Sequence, residues 1–267
     1  MVSHDVSIDL QRGIVTKRFR SWARNEPARE WTALCLLADE APGLAPQPLS
    51  ADMDVQPPAI TMSWLPGGPL GAAPISPAQM HALAWSLDQL WRPAPPGRLT
   101  AAPGQAPNPA AFTGQVRATL AAGHDLGGDP LVRRARAAAV GWLDGSTTSP
   151  AGSTTVLGQG DSNLANFLWD GHRVRLVDFE DSGPSDRAFE LALLVEHISA
   201  WSDTQLDAGT FVALFDLTTA EKARLLHYRR LAALFWLMLL RPASRASRRN
   251  PPGTLNRQAG RLLALLA

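Results

Sequence analysis

Cysteine, tyrosine and lysine are scarce in this 267-residue chain, which has one Cys, one Tyr and, among 25 basic residues, two Lys. A single thiol excludes an intrachain disulfide framework and fits a reducing compartment. Cys35 lies in the apolar run 33–37, where it reads as a small buried hydrophobe and not as a nucleophile. Long apolar runs are missing too. The longest, residues 231–240, has ten residues, about half of a membrane span, so no membrane partner is expected. The N-terminal MVSHDVSIDL lacks a basic start followed by an apolar stretch, so no signal peptide is expected and the expected location is cytoplasmic. Net charge is low, at +1, and no basic run is interleaved with aromatics, which argues against a nucleic-acid partner. The Arg-rich stretch 241–249, which runs into Asn250-Pro251-Pro252, reads as a solvated loop.

What is present describes a globular protein with ample core, at 45% hydrophobic and 18% charged residues. Arg is the default cation here, so each Lys invites a reason. Residues 6–10 alternate as a half-buried strand, 11–13 turn it back, and 14–19 form its partner, which carries Lys17. Pro27 opens a helix over 28–38 with Trp31, Leu34, Cys35 and Ala38 on one face. Glu30 in its first turn reads as a local cap, with Arg29 beside it as a competitor for any ion pair. A Pro-rich loop with one short strand near Leu49 precedes a strand over 59–65, closed by Pro66-Gly67-Gly68-Pro69. Helices are expected over 77–91, 111–121, 131–143, 188–199, 220–240 and 255–266. Loops are expected over 92–109, as an excursion above a cleft, and 145–153. Glu196 reads as part of a solvated helix face, with a place facing the acceptor as the alternative.

The chain is organised around residues 156–190, VLGQGDSNLANFLWDGHRVRLVDFEDSGPSDRAFE. A Gly-Gln-Gly corner presents Asp161, and Asn166 precedes a short apolar strand. Asp170-Gly171 is a hairpin signal, and the returning strand ends at Asp178. The hairpin therefore brings Asp161, Asn166 and Asp178 together. Two carboxylates and an amide oxygen suit Mg²⁺, which completes its shell with water and phosphate oxygens. Phosphoryl transfer fits such a set, because its transition state needs positioning and charge neutralisation more than covalent help.

These residues resemble the aminoglycoside phosphotransferase and choline kinase-like family, relatives of the protein kinases: Asp-x4-Asn, a hairpin, Asp-Phe-Glu, then Ser-Asp-Arg-Ala-Phe-Glu-Leu-Ala. Two positions depart from the family pattern. Its His-Gly-Asp is Gln159-Gly160-Asp161 here, and its Asp before Leu191-Ala192 is Glu190. The resemblance implies an α+β, two-lobed protein kinase-like fold. Its small N-terminal lobe (1–65) has antiparallel strands and one helix, and its larger lobe (66–267) is mostly helical. It further implies Asp161 as the catalytic base, Asn166 and Asp178 as Mg²⁺ ligands, Lys17 on the nucleotide phosphates, and Glu30 orienting Lys17. Backbone groups near Ser63 and Leu65 would meet the adenine, and an acid near Asp186 would tie the loops together. The implied cofactors are ATP and Mg²⁺. The implied partner is a hydroxylated small molecule, such as an aminoglycoside-like antibiotic, an amino alcohol or a sugar, acted on by a monomer or weak homodimer. Few residues precede Lys17 to supply a Gly-rich phosphate loop. A degenerate kinase that binds nucleotide or a partner without turnover is therefore the alternative, ahead of a metal-dependent phosphohydrolase.

Overall fold

A computed structural model describes residues 4–71, 73–92, 98–99, 108–146 and 155–267. Strands β1 (His4–Asp9) and β2 (Ile14–Phe19) form an antiparallel hairpin with Lys17 opposite Val6. The Asp9 carboxylate accepts from the N–H groups of Gln11 and Arg12, and Gly13 takes φ 64° to close the turn. Helix α1 (Glu26–Glu40), β3 (Pro48–Asp52) and β4 (Ala59–Ser63) complete an antiparallel sheet of order β1-β2-β4-β3.

The rest is mainly helical: α2 (Pro77–Leu90), α3 (Pro109–Ala121), α4 (Pro130–Gly145), α5 (Arg187–Glu196), α6 (Ala208–Val212), α7 (Thr219–Leu239), α8 (Arg245–Arg249) and α9 (Thr254–Leu266). Local sequence sets the helix starts. Ser76 with Gln79 and Thr218 with Glu221 form reciprocal capping boxes, which satisfy N–H groups that the first turn leaves unpaired. Asn108 and Asp129 cap α3 and α4, each ahead of a proline that tolerates the first turn. The helical core is aromatic at its centre. Phe189 of α5 meets Phe112 of α3 and Tyr228 of α7 edge-on, with ring centroids 5.4 and 5.2 Å apart.

Short strands place the central stretch. β6 (Thr155–Gly158) pairs with β9 (Gly183–Asp186), and β7 (Phe167–Trp169) pairs with β8 (Val174–Leu176) and with β5 (Gly68–Pro69). The expected Asp170-Gly171 hairpin is present, its turn closed by the Asp170 carboxylate on the N–H groups of His172 and Arg173.

Four expectations change. The inner face of α1 is not the one drawn through its apolar residues: Trp31, Cys35 and Ala38 are half-buried, whereas Glu26, Arg29, Glu30, Ala33, Leu34 and Leu37 are buried. Charged residues turn inward there because they meet opposite charges: Glu30 meets Lys17 of β2, Arg29 meets Asp181 of the central stretch, and Glu26 meets Arg24. Helix α5 ends at Glu196 and is followed by a π-helical turn, Ser199–Asp203. Glu196 is fully buried, not solvated, and is held by Arg229 at 2.7 Å and Arg261 at 2.9 Å. Residues 241–249 contain a short helix, α8, in place of an open loop. Most of the expected 92–109 excursion and of the 145–153 loop lies outside the described residues.

Candidate active site

The Gly-Gln-Gly corner is a consequence of crowding. A Cβ on Gly158 would run into the Glu190 carboxylate, and one on Gly160, at φ 83°, into the backbone carbonyl of Asp181. Buried Glu190 accepts from Ser185 Oγ at 2.6 Å and from the backbone N–H groups of Gln159 at 3.2 Å and Gly160 at 3.5 Å. Burial pushes its carboxyl pKa up, against those hydrogen bonds. From the other side Gln159 Nε2 donates to the carbonyl of Val177 at 2.9 Å. Gln159 and Glu190, the two departures from the family pattern, thus brace the corner together. Asp186 does not tie these loops: its carboxylate caps α5 at Ala188 and pairs with Arg224 at 2.8 Å.

Beyond the corner, Asp161 Oδ1 accepts from the Asn163 N–H at 3.1 Å, and Oδ2 accepts from Asn166 Nδ2 at 3.1 Å. Burial raises the Asp161 pKa. The two hydrogen bonds oppose that rise, and the nearby charges of Asp178 and Asp181 add to it. The carbonyl of Asn166 accepts from the Val177 N–H at 3.0 Å, which ties the Asn166 backbone to the segment that leads from β8 to Asp178. Asp178 adopts φ 65°, a left-handed conformation that costs a non-glycine residue and clusters at functional sites.

Lys17, Glu30 and Asp178 meet. Lys17 Nζ lies 2.6 Å from Glu30 Oε2 and 3.0 Å from Glu180 Oε2, and also donates to Asp178 Oδ1. Burial works against the ammonium, but three carboxylates outweigh it and raise the Lys17 pKa. Glu30 is therefore no local cap. Arg29 is occupied elsewhere, with Nε donating to the carbonyl of Glu180 at 2.9 Å. Two members of the cluster escaped the sequence reading. Glu180 stands two residues after Asp178 in the Asp-Phe-Glu segment, so the spacing was available. His4 Nδ1, 3.0 Å from Glu180 Oε2, had no signal beyond its place on the first strand. The ligand atoms of His4, Asp178 and Glu180 all lie within 4.8 Å of one another.

The cluster opens onto a cavity of about 350 Å³ whose lining includes Val6, Ile8, Met62, Ser63, Leu65, Leu168, Lys17, Asn166 and Asp178. An apolar lining with a few convergent polar groups is typical of a ligand site. Val6 and Ile8 are more than half exposed and contribute to its wall. At the strand exit, the Ser63 N–H donates to Gln47 and the Trp64 N–H to Gly13. The Leu65 N–H has no protein acceptor among the described residues. A second cavity, of about 530 Å³, is lined by Asn163, His197, Ser199, Asp203, Trp236 and the α7–α8 region. Asn166 lines the first cavity and Asn163 the second, so the loop carrying Asp161 runs between them. Asp161 is thus accompanied by a metal-compatible amide and carboxylate on one side and by a separate recess on the other.

Residues 6–234 match the phosphotransferase enzyme family. The chain belongs to this family. No curated protein matches it in sequence. Among solved structures, a choline/ethanolamine kinase family protein from Mesorhizobium loti shares the fold at TM-score 0.63 and 17% identity, over 100% of this chain and 86% of that one. A thermostable mutant of the aminoglycoside phosphotransferase APH(4)-Ia, solved with ADP and hygromycin B, aligns at TM-score 0.60 and 14% identity over 99% and 93% of the two chains. The choline kinase LicA from Streptococcus pneumoniae aligns at 0.58 and 13%, over 99% and 89%. The phosphotransferase fold therefore extends over the whole described chain. As in the α+β reading of the sequence, a small antiparallel sheet precedes a larger helical part. No helix among the described residues is long and apolar enough to cross a membrane.

Proposed function

We propose that this phosphotransferase moves the γ-phosphate of ATP to a hydroxyl of a small molecule. The observation that carries the reading is the convergence of Lys17, Asn166 and Asp178 at one cavity, with Asp161 on the loop between that cavity and a second one. The solved relatives with ADP or AMP-PNP support a nucleotide in the first cavity.

The donor set fits Mg²⁺. Asn166 spends its Nδ2 on Asp161, which leaves a hard amide oxygen beside the Asp178 carboxylate, and an amide and a carboxylate with phosphates and water satisfy this ion. When bound there, the metal supplies charge neutralisation to the phosphate oxygens. The protein's own groups do the rest. Asp161 orients the acceptor hydroxyl and takes its proton, a task its raised pKa suits. Lys17 leaves its carboxylate partners in part to meet the phosphates, and Glu30 holds its ammonium in place. The backbone around Ser63 to Leu65 meets the adenine edge, with the Leu65 N–H as the available donor. In this reading the nucleotide lobe spans 1–65 and the catalytic and acceptor lobe 66–267. The protein acts in the cytoplasm as a monomer or weak homodimer.

The thermal midpoint with Mg²⁺-ATP, ATP plus chelator, and no ligand tests the reading. At about a hundredfold Kd the gain is roughly 2.7 kcal/mol, a shift of several degrees for a chain of this size. The shift is expected to need Mg²⁺, and Asn166→Ala with Asp178→Ala is expected to remove that need. No shift with any nucleotide would overturn the assignment.

A further inference from the structure

The second cavity carries a charge pattern that the phosphotransferase reading does not explain. Arg241, Arg245 and Arg249 line it, together with a single acid, Asp203. None of the three guanidinium groups has a salt bridge or hydrogen bond with another described residue. Their neighbours in the helical part behave differently: Arg224 pairs with Asp186, Arg187 with Glu221, and Arg229 and Arg261 with Glu196. Arg134 and Arg136 of α4 are unpaired among the described residues too, so what is local to this recess is that three such arginines, Arg241, Arg245 and Arg249, line one cavity.

The remaining polar groups of the recess do not offset this charge. His197 is half-buried, and its burial lowers its pKa to about 4. Its Nδ1 accepts from the Ser199 N–H at 3.1 Å and lies 2.6 Å from Ser199 Oγ, so the ring is neutral. Residues 93–97, 100–107 and 147–154, which lie outside the described residues, contain no acidic residue and cannot contribute one. The wall also includes the π-helical turn Ser199–Asp203, an irregularity common at functional sites. Ser199 Oγ accepts from the Leu164 N–H at 3.0 Å, which couples this wall to the loop that carries Asp161.

We infer that the second cavity takes a hydroxylated small molecule bearing a carboxylate or phosphate, with Arg241, Arg245 and Arg249 as its anion-reading side chains. The guanidinium fork matches the paired oxygens of either group, and the same charges repel an aminoglycoside-like polycation. The presentation of the hydroxyl to Asp161 rests on the phosphotransferase reading. The selection of an anion does not.

The test uses one scaffold in four charge states: gluconate, glucose 6-phosphate, glucose and glucosamine. Thermal midpoints are measured at matched ionic strength for the wild type and for R241Q/R245Q/R249Q. A rise with gluconate or glucose 6-phosphate, absent with glucose and glucosamine and lost in the triple variant, is expected. The larger of the two rises separates carboxylate from phosphate. No anion-dependent rise, an equal rise with glucosamine, or a rise that survives the triple substitution would overturn the inference. ADP release from Mg²⁺-ATP is the second readout. A tenfold or greater fall in kcat/KM for the anionic acceptor in the triple variant, with the KM for ATP unchanged, is expected. Anion-dependent stabilisation without ADP release would keep the inference and count against the kinase reading. Release driven equally well by glucosamine would do the reverse.

Discussion

Two buried charge clusters hold this protein together, and they are built in opposite ways. Around Lys17, one cation faces three carboxylates, Glu30, Asp178 and Glu180, beside an open cavity. Around Glu196, two cations, Arg229 and Arg261, face one fully buried carboxylate between packed helices. In the second cluster the carboxylate is compensated, and the partly exposed guanidinium groups leave their surplus charge to water. In the first, three carboxylates share one ammonium, with His4 and Arg29 as the further basic groups beside Glu180. In the proposed reading the first cluster belongs to the site and the second to structure, although both read on paper as buried salt bridges.

Substitutions can break this comparison, starting beside the open cluster. Asp161→Asn is expected to lower kcat by about 10²–10⁴-fold, the usual contribution of a positioned general base, while the Mg²⁺-ATP midpoint shift remains. The wild-type kcat/KM should fall as pH drops, through a pKa above the ordinary carboxylate value, because burial raises the Asp161 pKa and only its ionised form accepts a proton. Retained turnover in this variant would remove Asp161 from the chemistry.

Lys17→Met comes next. Removing the one cation is expected to cost about 3–5 kcal/mol, as when a buried pair loses one partner. Mg²⁺ should then raise the midpoint of this variant more than that of the wild type. Equal Mg²⁺ responses would mean that the cluster is structural, like the one at Glu196.

Glu196→Gln is the converse. It should cost roughly 1–3 kcal/mol in chemical denaturation, the loss expected for buried hydrogen-bonding groups left without their partner, with kcat unchanged. A large loss of kcat in folded protein would erase the distinction between the clusters.

The smallest effect belongs to His197, which is held neutral with its pKa lowered from 6.5 to about 4. The unfolded chain binds this proton first as pH falls, so the stabilisation is full above about 6.5 and is lost on the way down to about 4. Relative to His197→Gln, the wild type should lose urea-midpoint stability between pH 7.5 and pH 5. Parallel profiles would mean that the ring is not held neutral.

Much of the site was legible because its residues are close in sequence or tied to a hairpin. Asp161, Asn166 and Asp178 fall within one stretch whose Asp170-Gly171 turn dictates their return. Lys17 stood out by rarity. What was missed follows one physical pattern. The α1 face drawn through Trp31, Cys35 and Ala38 assumes that apolar side chains point inward, whereas Arg29 and Glu30 do so because partners on other elements meet them: Glu180 and Asp181 about 150 residues away for Arg29, and Lys17 on β2 for Glu30. Glu196 was read as solvated for the same reason, its partners lying on α7 and α9. The 241–249 arginines were read as a solvated loop because nothing local indicates that α8 faces a cavity.

The sequence by itself determined the fold class, the capped helices, the hairpin and the grouping of Asp161, Asn166 and Asp178 in one stretch, since these depend on short-range periodicity, turn chemistry and spacing. Only the tertiary structure decided which charges are buried and paired, that Gln159 and Glu190 brace one corner together, and that three arginines share a recess with the Asp161 loop. Those outcomes depend on long-range contacts, and the free energy of a buried charge is set by its neighbours in space and not by its neighbours in the chain.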